Sequence, residues 1–239
     1  KGSLGWRNQV LGANWTSLIG SRVELHTGLS FSGYKLRFSD AYRLSEEDNT
    51  IFNSSSYTNG LQEIRGGFDA DIQLNSRNVF TLGLGAVEYL FLPFERSYTS
   101  ITSATSTDTS LVSKQLFSRE SFVFVENKTY LNSGNIAYGL RISAFNAGET
   151  NYLRFQPKIH LVQNLRKRQQ LRFSITGSNQ FVHLVPNNNL GLPIDIWLPV
   201  TERLKPMGVT QLSAKYIFKA KNWEIESGIF SKFYANILE

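Results

Sequence analysis

QLRFSITGSNQF (residues 170–181) sets Leu171, Phe173 and Ile175 between Gln170, Arg172, Ser174 and Thr176. Successive side chains of a strand point to opposite faces, so the segment reads as a strand with one greasy side and one polar side. The same alternation runs through Val23, Leu25, Leu29 and Phe31 against Glu24, His26, Ser30 and Ser32. It returns in Ile64, Phe68, Ala70 and Ile72 against Arg65, Asp69 and Asp71.

Working outward, strands are expected at residues 5–17, 21–39, 61–74, 79–94, 118–131, 136–146, 152–164, 169–183, 208–218 and 223–235, ten in all. Tight, turn-rich connections join some of them, at 18–20, 75–78, 132–135, 166–168 and 219–222. The others, at 40–60, 95–117, 147–151 and 184–207, are expected as loops, three of them far longer than a hairpin needs. Residues 99–113, dominated by Ser and Thr, are expected to be mobile. Short turns on one rim and long loops on the other describe an antiparallel, all-β transmembrane β-barrel. Strand length agrees, because a globular sheet uses about five or six residues and a tilted membrane strand about ten.

The composition permits this fold. Mean hydropathy is −0.23 over 239 residues. No apolar run approaches the ~18 residues of a spanning helix, whereas a barrel with a polar lumen keeps average hydropathy low. The net charge of +6 and pI near 9.5 raise nucleic-acid binding. The only compact basic run, Arg166-Lys167-Arg168, lies between two strands and reads as a solvated turn, so no nucleic-acid partner is expected.

Little else in the chain suggests chemistry. With no cysteine there is no disulfide framework and no thiolate metal site. His26, His160 and His183 are far apart and lack metal-ligand spacing, so no metal is expected. His26 and His160 share the polar face, which keeps a bound cation as an alternative. Gly83-Leu84-Gly85-Ala86-Val87-Glu88 lacks the third glycine of a dinucleotide fingerprint and sits in a strand pattern. It is expected to mark a bend in the wall or close approach of an internal plug. With no nucleophile elbow, P-loop or isolated carboxylate pair, neither enzyme activity nor a cofactor is expected.

Turning the apolar faces outward puts Glu24, His26, Arg65, Asp69, Asp71, Arg141, Arg154, Lys158, His160, Arg172, Lys215, Glu224 and Glu226 in the lumen. A mixed ionic interior suits a barrel packed against a plug, and a plain aqueous pore would tolerate the same set.

The last third of the chain carries a motif. Phe155-Gln156-Pro157-Lys158 opens a strand, and Ser178-Asn179-Gln180-Phe181-Val182-His183-Leu184 closes the next. Leu192-Pro193-Ile194-Asp195-Ile196-Trp197-Leu198-Pro199 follows, then Leu204-Lys205-Pro206 and Thr210-Gln211. The prolines fix φ and withhold donors, so this segment is expected to stay out of the ladder and cross over the strand ends. Asp195 can accept backbone hydrogen bonds in a turn, and Trp197 offers a large anchor with one donor. The motif is expected to shape and seal the rim. Direct substrate contact is the alternative, since aromatic residues concentrate at recognition surfaces.

This segment resembles the barrel of TonB-dependent outer-membrane transporters of the Bacteroidetes type. The match falls on Gln180, His183, Leu192, Pro193, Asp195, Trp197, Pro199, Pro206 and Gln211. The resemblance implies energised import of a siderophore, cobalamin, glycan or peptide across the cell outer membrane of a Gram-negative bacterium. It also implies a plug domain of the same protein, a TonB-type energising complex, and contact with membrane lipid and lipopolysaccharide, with a surface lipoprotein as a further option. Such barrels have about 22 strands, so residues 1–239 are expected to form a single barrel segment, with the plug and terminal strands outside it. The alternatives are a passive porin or structural barrel, and a soluble all-β binding module.

Overall fold

The computed structural model describes residues 2–46, 49–102, 105–166, 168–187 and 194–237. Its strands are β1 (Gly2–Ile19), β2 (Val23–Glu46), β3 (Asn49–Asn75), β4 (Asn78–Ile101), β5 (Ser106–Val112), β6 (Leu116–Leu131) and β7 (Gly134–Ala147). They continue as β8 (Thr150–Arg166), β9 (Gln169–Gln180), β10 (Val182–Asn187), β11 (Ile194–Pro199), β12 (Met207–Lys219) and β13 (Glu224–Ala235). Ten pair in the order β1-β2-β3-β4-β6-β7-β8-β9-β12-β13, and β5 folds back beside β4 to complete an 11-stranded sheet. The strand pairs are antiparallel. β10 and β11 form a separate ladder, and β1 and β13 do not pair with each other, so the sheet is open.

Each of the ten alternating stretches becomes one of those ten strands. All four loop expectations need correction, since 184–207 carries most of β10 and the whole of β11. Residues 40–60 continue β2 and β3 as one tall hairpin paired as far as Glu46 and Asn49. Within 95–117, β4 runs to Ile101 and pairs there with β5, so most of 99–113 is strand. No sustained apolar period marks these extensions: Tyr57 is buried against Leu36, but its neighbours are Ser, Thr and Asn, and cross-strand bonds such as Ser56 Oγ to Ser97 Oγ at 2.8 Å join the strands.

The third correction is residues 147–151, which contract to a two-residue turn between paired Ala147 and Thr150. Gly148 has φ +60°, the left-handed value that glycine adopts without a Cβ penalty. Gly148→Val is therefore expected to destabilise the β7–β8 hairpin by about 1–2 kcal/mol, read from urea unfolding of the full-length parent protein in lipid.

The glycine pair makes room for neighbours within the wall itself. A Cβ at Gly83 would collide with the ring of Phe124, and one at Gly85 would lie 2.6 Å from Phe122. These glycines are seats for the facing aromatics of β6.

The register fixes the slant of the strands. One row of cross-strand partners runs Leu18, Glu24, Asp71, Thr81, Glu126, Gly139, Lys158, Thr176, Gln211 and Lys232 across the whole sheet. At β1–β2 the row sits one residue from the last pair before the turn, Ile19 with Val23; at β12–β13 it sits eight from Lys219 and Glu224. A drift of about seven residues over about eight strand spacings, at ~3.3 Å per residue and ~4.8 Å between strands, is a tilt of about 30°. That lies just below the ~35–45° of membrane barrels and far from an upright sheet.

Candidate functional site

Partners opposite one another share a face, so the register sorts every side chain of the wall. One face collects Leu153, Phe155, Ile159, Phe173 and Ile175, with Leu82, Leu84, Val123 and Leu212 on the neighbouring strands. All are exposed, Phe155 at 59% and Ile175 at 46%. No second sheet of the described residues covers them. On β8 the band runs from Leu153 to Leu161, about 26 Å along the strand at ~3.3 Å per residue. On neighbouring strands it ends at a polar row in which Glu88 accepts a hydrogen bond of 2.9 Å from Arg119 Nε.

The opposite, inner face carries all thirteen ionisable residues assigned to the polar side, from Glu24 to Glu226. The structure brings most of them together with partners. Arg141 donates to Glu120 at 3.0 Å, Lys215 to Glu226 at 2.6 Å, and Lys158 pairs with Glu126. Arg65 pairs with Glu63 at 3.2 Å, Lys219 with Glu224 at 3.0 Å, and His26 lies 3.8 Å from Asp71. Arg154 lies over the Tyr152 ring, and Arg172 donates to Gln170 at 2.6 Å. Asp69 faces Gly83 and His160 faces Ser174 across their ladders. The three histidines stand on β2, β8 and β10 and are not brought together.

The rim motif behaves in a way the prolines concealed. It stays out of the main sheet but forms a ladder of its own, with Pro199 opposite Val182 and Pro186 opposite Asp195, and this hairpin folds onto the inner face. Val87, Tyr89 and Phe91 of β4 and Phe145 of β7 make an apolar bed for Phe181 and Val200. Phe145 and Phe181 stack with ring centroids 4.8 Å apart and planes 3° apart. Trp197 meets the Tyr34 ring edge-on at 6.3 Å. Two further bonds pin the base of the hairpin: Val200 N donates to Phe181 O at 3.0 Å, and Tyr152 Oη donates to Thr201 O at 2.7 Å.

Seven of the nine motif residues fall among the described ones; Leu192 and Pro193 lie outside them. His183 and Pro199 are buried in the hairpin. Gln180 ends β9, where its amide donates to Val182 O at 2.7 Å, and the buried Pro206 precedes β12 and accepts from Asn236 at 3.0 Å. Gln211 is apart from them, in the wall on the inner face. The apolar bed was missed from sequence, although Val87-Glu88-Tyr89-Leu90-Phe91-Leu92 has apolar residues at both parities, the mark of a strand covered on two sides.

Burial holds the imidazole of His183 below its ordinary range, opposed by a backbone hydrogen bond at Lys205. The side chain is 3% exposed and its Nε2 has no partner among the described residues. A group with a depressed folded value must take up a proton on unfolding, so its contribution is intact above the unfolded pKa near 6.5 and is lost as pH falls below it. Acidification from pH 7.5 to 5 is expected to loosen the docked hairpin, read as faster proteolysis there, and His183→Gln to flatten that dependence.

No family model matches this chain, and no curated protein does. Solved structures do. The siderophore receptor PirA from Acinetobacter baumannii superposes over 97% of this chain and 43% of its own, at TM-score 0.53 and 12% identity. BauA, the ferric preacinetobactin receptor of the same organism, gives 97% and 38%, at TM-score 0.58 and 8% identity. The RagAB peptide transporter gives 96% and 30%, at TM-score 0.57 and 9% identity. The chain thus spans less than half the length of each of these proteins. At such identities the likeness is one of fold, and that fold is a stretch of the antiparallel β-barrel wall of outer-membrane receptors.

Proposed function

We propose that this chain is part of the wall of a TonB-dependent transporter that imports a scarce nutrient across the cell outer membrane, resembling the Bacteroidetes type. One observation carries the reading: the inner face is ionic and largely paired, and an apolar-bedded hairpin folds onto it. A free-diffusion pore is served by an open, hydrated lumen, whereas a wall that narrows itself and presents matched charges suits a lumen filled by a plug domain of the same protein. In this reading the thirteen inner ionisable residues face the plug, and the hairpin shapes and seals the rim. The partners are membrane lipid and lipopolysaccharide outside, the plug within, a TonB-type energising complex, and a surface lipoprotein where one is encoded beside it.

The test is uptake by cells that express the full-length parent protein, supplied in turn with radiolabelled ferric siderophores, cobalamin, oligosaccharides and peptides. Uptake of one class that a protonophore abolishes is the expected result. Protonophore-insensitive entry of small solutes of every class would instead identify a porin.

A further inference from the structure

We infer that the free edge of β5 is a binding site for an extended peptide, which adds to it as a further strand through main-chain hydrogen bonds. The inference rests on the import reading above and deepens it, giving the cargo a chemical class and a first point of contact.

The edge exists because the rim is uneven. β5 extends the line of β6 beside β4, with Val112 opposite Glu95 and, below a short interruption, Leu116 opposite Phe91. The next strand of the wall, β7, turns back at Ala147 and Thr150 and pairs with β6 no higher than Asn146 opposite Arg119. No strand of the wall therefore stands beside β5, whose only strand partner among the described residues is β4. All seven of its residues are exposed, Leu111 at 58% and Val112 at 64%. This gap lies inside the sheet, between β4 and β7, whereas strands that continue the wall attach at β1 and β13, its two ends.

The bonds at the two ends of the β4–β5 ladder fix which groups it leaves over. Ser113 N donates to Phe94 O at 3.0 Å below it, and Thr102 N to Thr105 O at 2.7 Å above it. Bonded and non-bonded residue pairs alternate along an antiparallel ladder, so Thr107, Thr109 and Leu111 turn their backbone groups toward β4. Ser106, Asp108, Ser110 and Val112 turn theirs away, a row of donors and acceptors that repeats about every 6.6 Å. An extended backbone carries both kinds of group at that interval; a glycan or a metal chelate does not.

Sheets that keep such an edge to themselves place lysine, proline or a bulge on it. β5 has no lysine and no proline, a single charge at Asp108, and an unbroken register with β4 from Ser106 to Val112. Its short hydroxyl side chains leave the edge open to approach and impose little sequence preference, while Leu111 and Val112 at its foot offer apolar contact on opposite faces. A seven-residue edge, about 23 Å long at ~3.3 Å per residue, offers far less surface than the ~1,200 Å² at which stable protein complexes begin. It suits a peptide held by its backbone and released again, the strand-addition mode of recognition.

The test is amide hydrogen exchange of the full-length parent protein in lipid nanodiscs, read residue by residue. The probe is a blocked octapeptide of alternating threonine and valine, N-methylated at every second residue so that one edge stays free and the peptide cannot stack on itself. Without it, Thr107, Thr109 and Leu111 are expected to exchange slowly and Ser106, Asp108, Ser110 and Val112 fast. At saturating peptide the second set should slow by about tenfold or more. The same peptide methylated at consecutive residues, with both edges blocked, should have no effect, and neither should a linear oligosaccharide. Ser110→Pro removes one outward donor and should weaken peptide binding about tenfold, whereas Ser110→Val keeps the backbone and should bind as wild type. Should Ser110→Pro also release Thr107, Thr109 and Leu111, the two methylated peptides decide on the unaltered protein.

Slow exchange at all seven positions before any peptide is added would mean that the protein's own chain fills the edge, and overturns the site. Equal effects of the singly and doubly blocked peptides overturn main-chain recognition. Protection given by a folded surface protein and by no peptide hands the edge to a protein partner and overturns the peptide. Protonophore-sensitive uptake of another substrate class, with β5 indifferent to peptide, sinks this inference alone; protonophore-insensitive entry of every class sinks the import reading, whatever β5 binds.

Discussion

Phe145→Ala is expected to release the inward hairpin while leaving the wall standing. Phe145 is 1% exposed, stacked on Phe181 and tilted against Tyr89 at 6.4 Å. Truncating a fully buried phenylalanine costs about 3–5 kcal/mol, the sum of lost transfer energy and the cavity left behind. That energy is concentrated where the hairpin meets the wall, because Phe181 and Val200 are held from the main sheet chiefly by this bed. The ladder of β7 with β6 and β8 is backbone pairing and does not depend on the ring. Limited proteolysis of the full-length parent in lipid should therefore show cleavage near residues 194–200 rising by a factor of a hundred or more, on the order of 3 kcal/mol of lost docking. Heat-modifiable migration of the barrel should persist. Phe173→Ala, one of the outward phenylalanines at 43% exposure, is the control and should leave the cleavage rate unchanged. A hairpin equally protected in both variants would mean that the bed does not hold it.

How much of this could be read from the chain follows from where water and hydrocarbon act. The ten wall strands were legible because one face of each is apolar and the other polar, a contrast that a single strand carries in itself. The β2–β3 and β4–β5 extensions were illegible because Ser and Thr are written there with no apolar period, and the burial of Tyr57 against Leu36 depends on the pairing register. The thirteen inner ionisable residues followed from parity alone. Their pairings did not, since Lys158 with Glu126, or Arg141 with Glu120, requires the register between strands far apart in sequence. The hairpin shows the limit from the other side. Prolines forecast exclusion from the main ladder, which holds, but the segment forms a ladder of its own. A two-stranded pairing with free outer edges tolerates Pro199 and Pro186 because the groups that proline cannot supply can point away from the partner. Trp197 was noticed as an anchor, yet only the fold shows it against Tyr34, more than 160 positions earlier in the chain.

Phe155→Arg should cost about 2–4 kcal/mol when the parent protein sits in a bilayer, and this substitution decides what touches the outer face. Phe155 lies one alternation step from the middle of the apolar stretch on β8, in a row with Thr27, Phe68, Leu84, Val123 and Ile142. A guanidinium there faces Ile142 across the β7–β8 ladder, not a carboxylate, so in hydrocarbon it must bend toward an interface or draw water inward. In water the same change would be nearly neutral, because surface substitutions at exposed positions are usually within about 0.5 kcal/mol. The neighbouring Arg154 supplies the internal comparison: it is already an arginine, one residue away on the inner face, where it lies over the Tyr152 ring. Arg154→Gln should therefore have a much smaller effect than Phe155→Arg in urea unfolding measured in lipid bilayers. Two equal and small effects would place both faces in water and remove the membrane from the description of this wall, whereas a large loss confined to Phe155 assigns hydrocarbon to one side of β8 and a polar interior to the other.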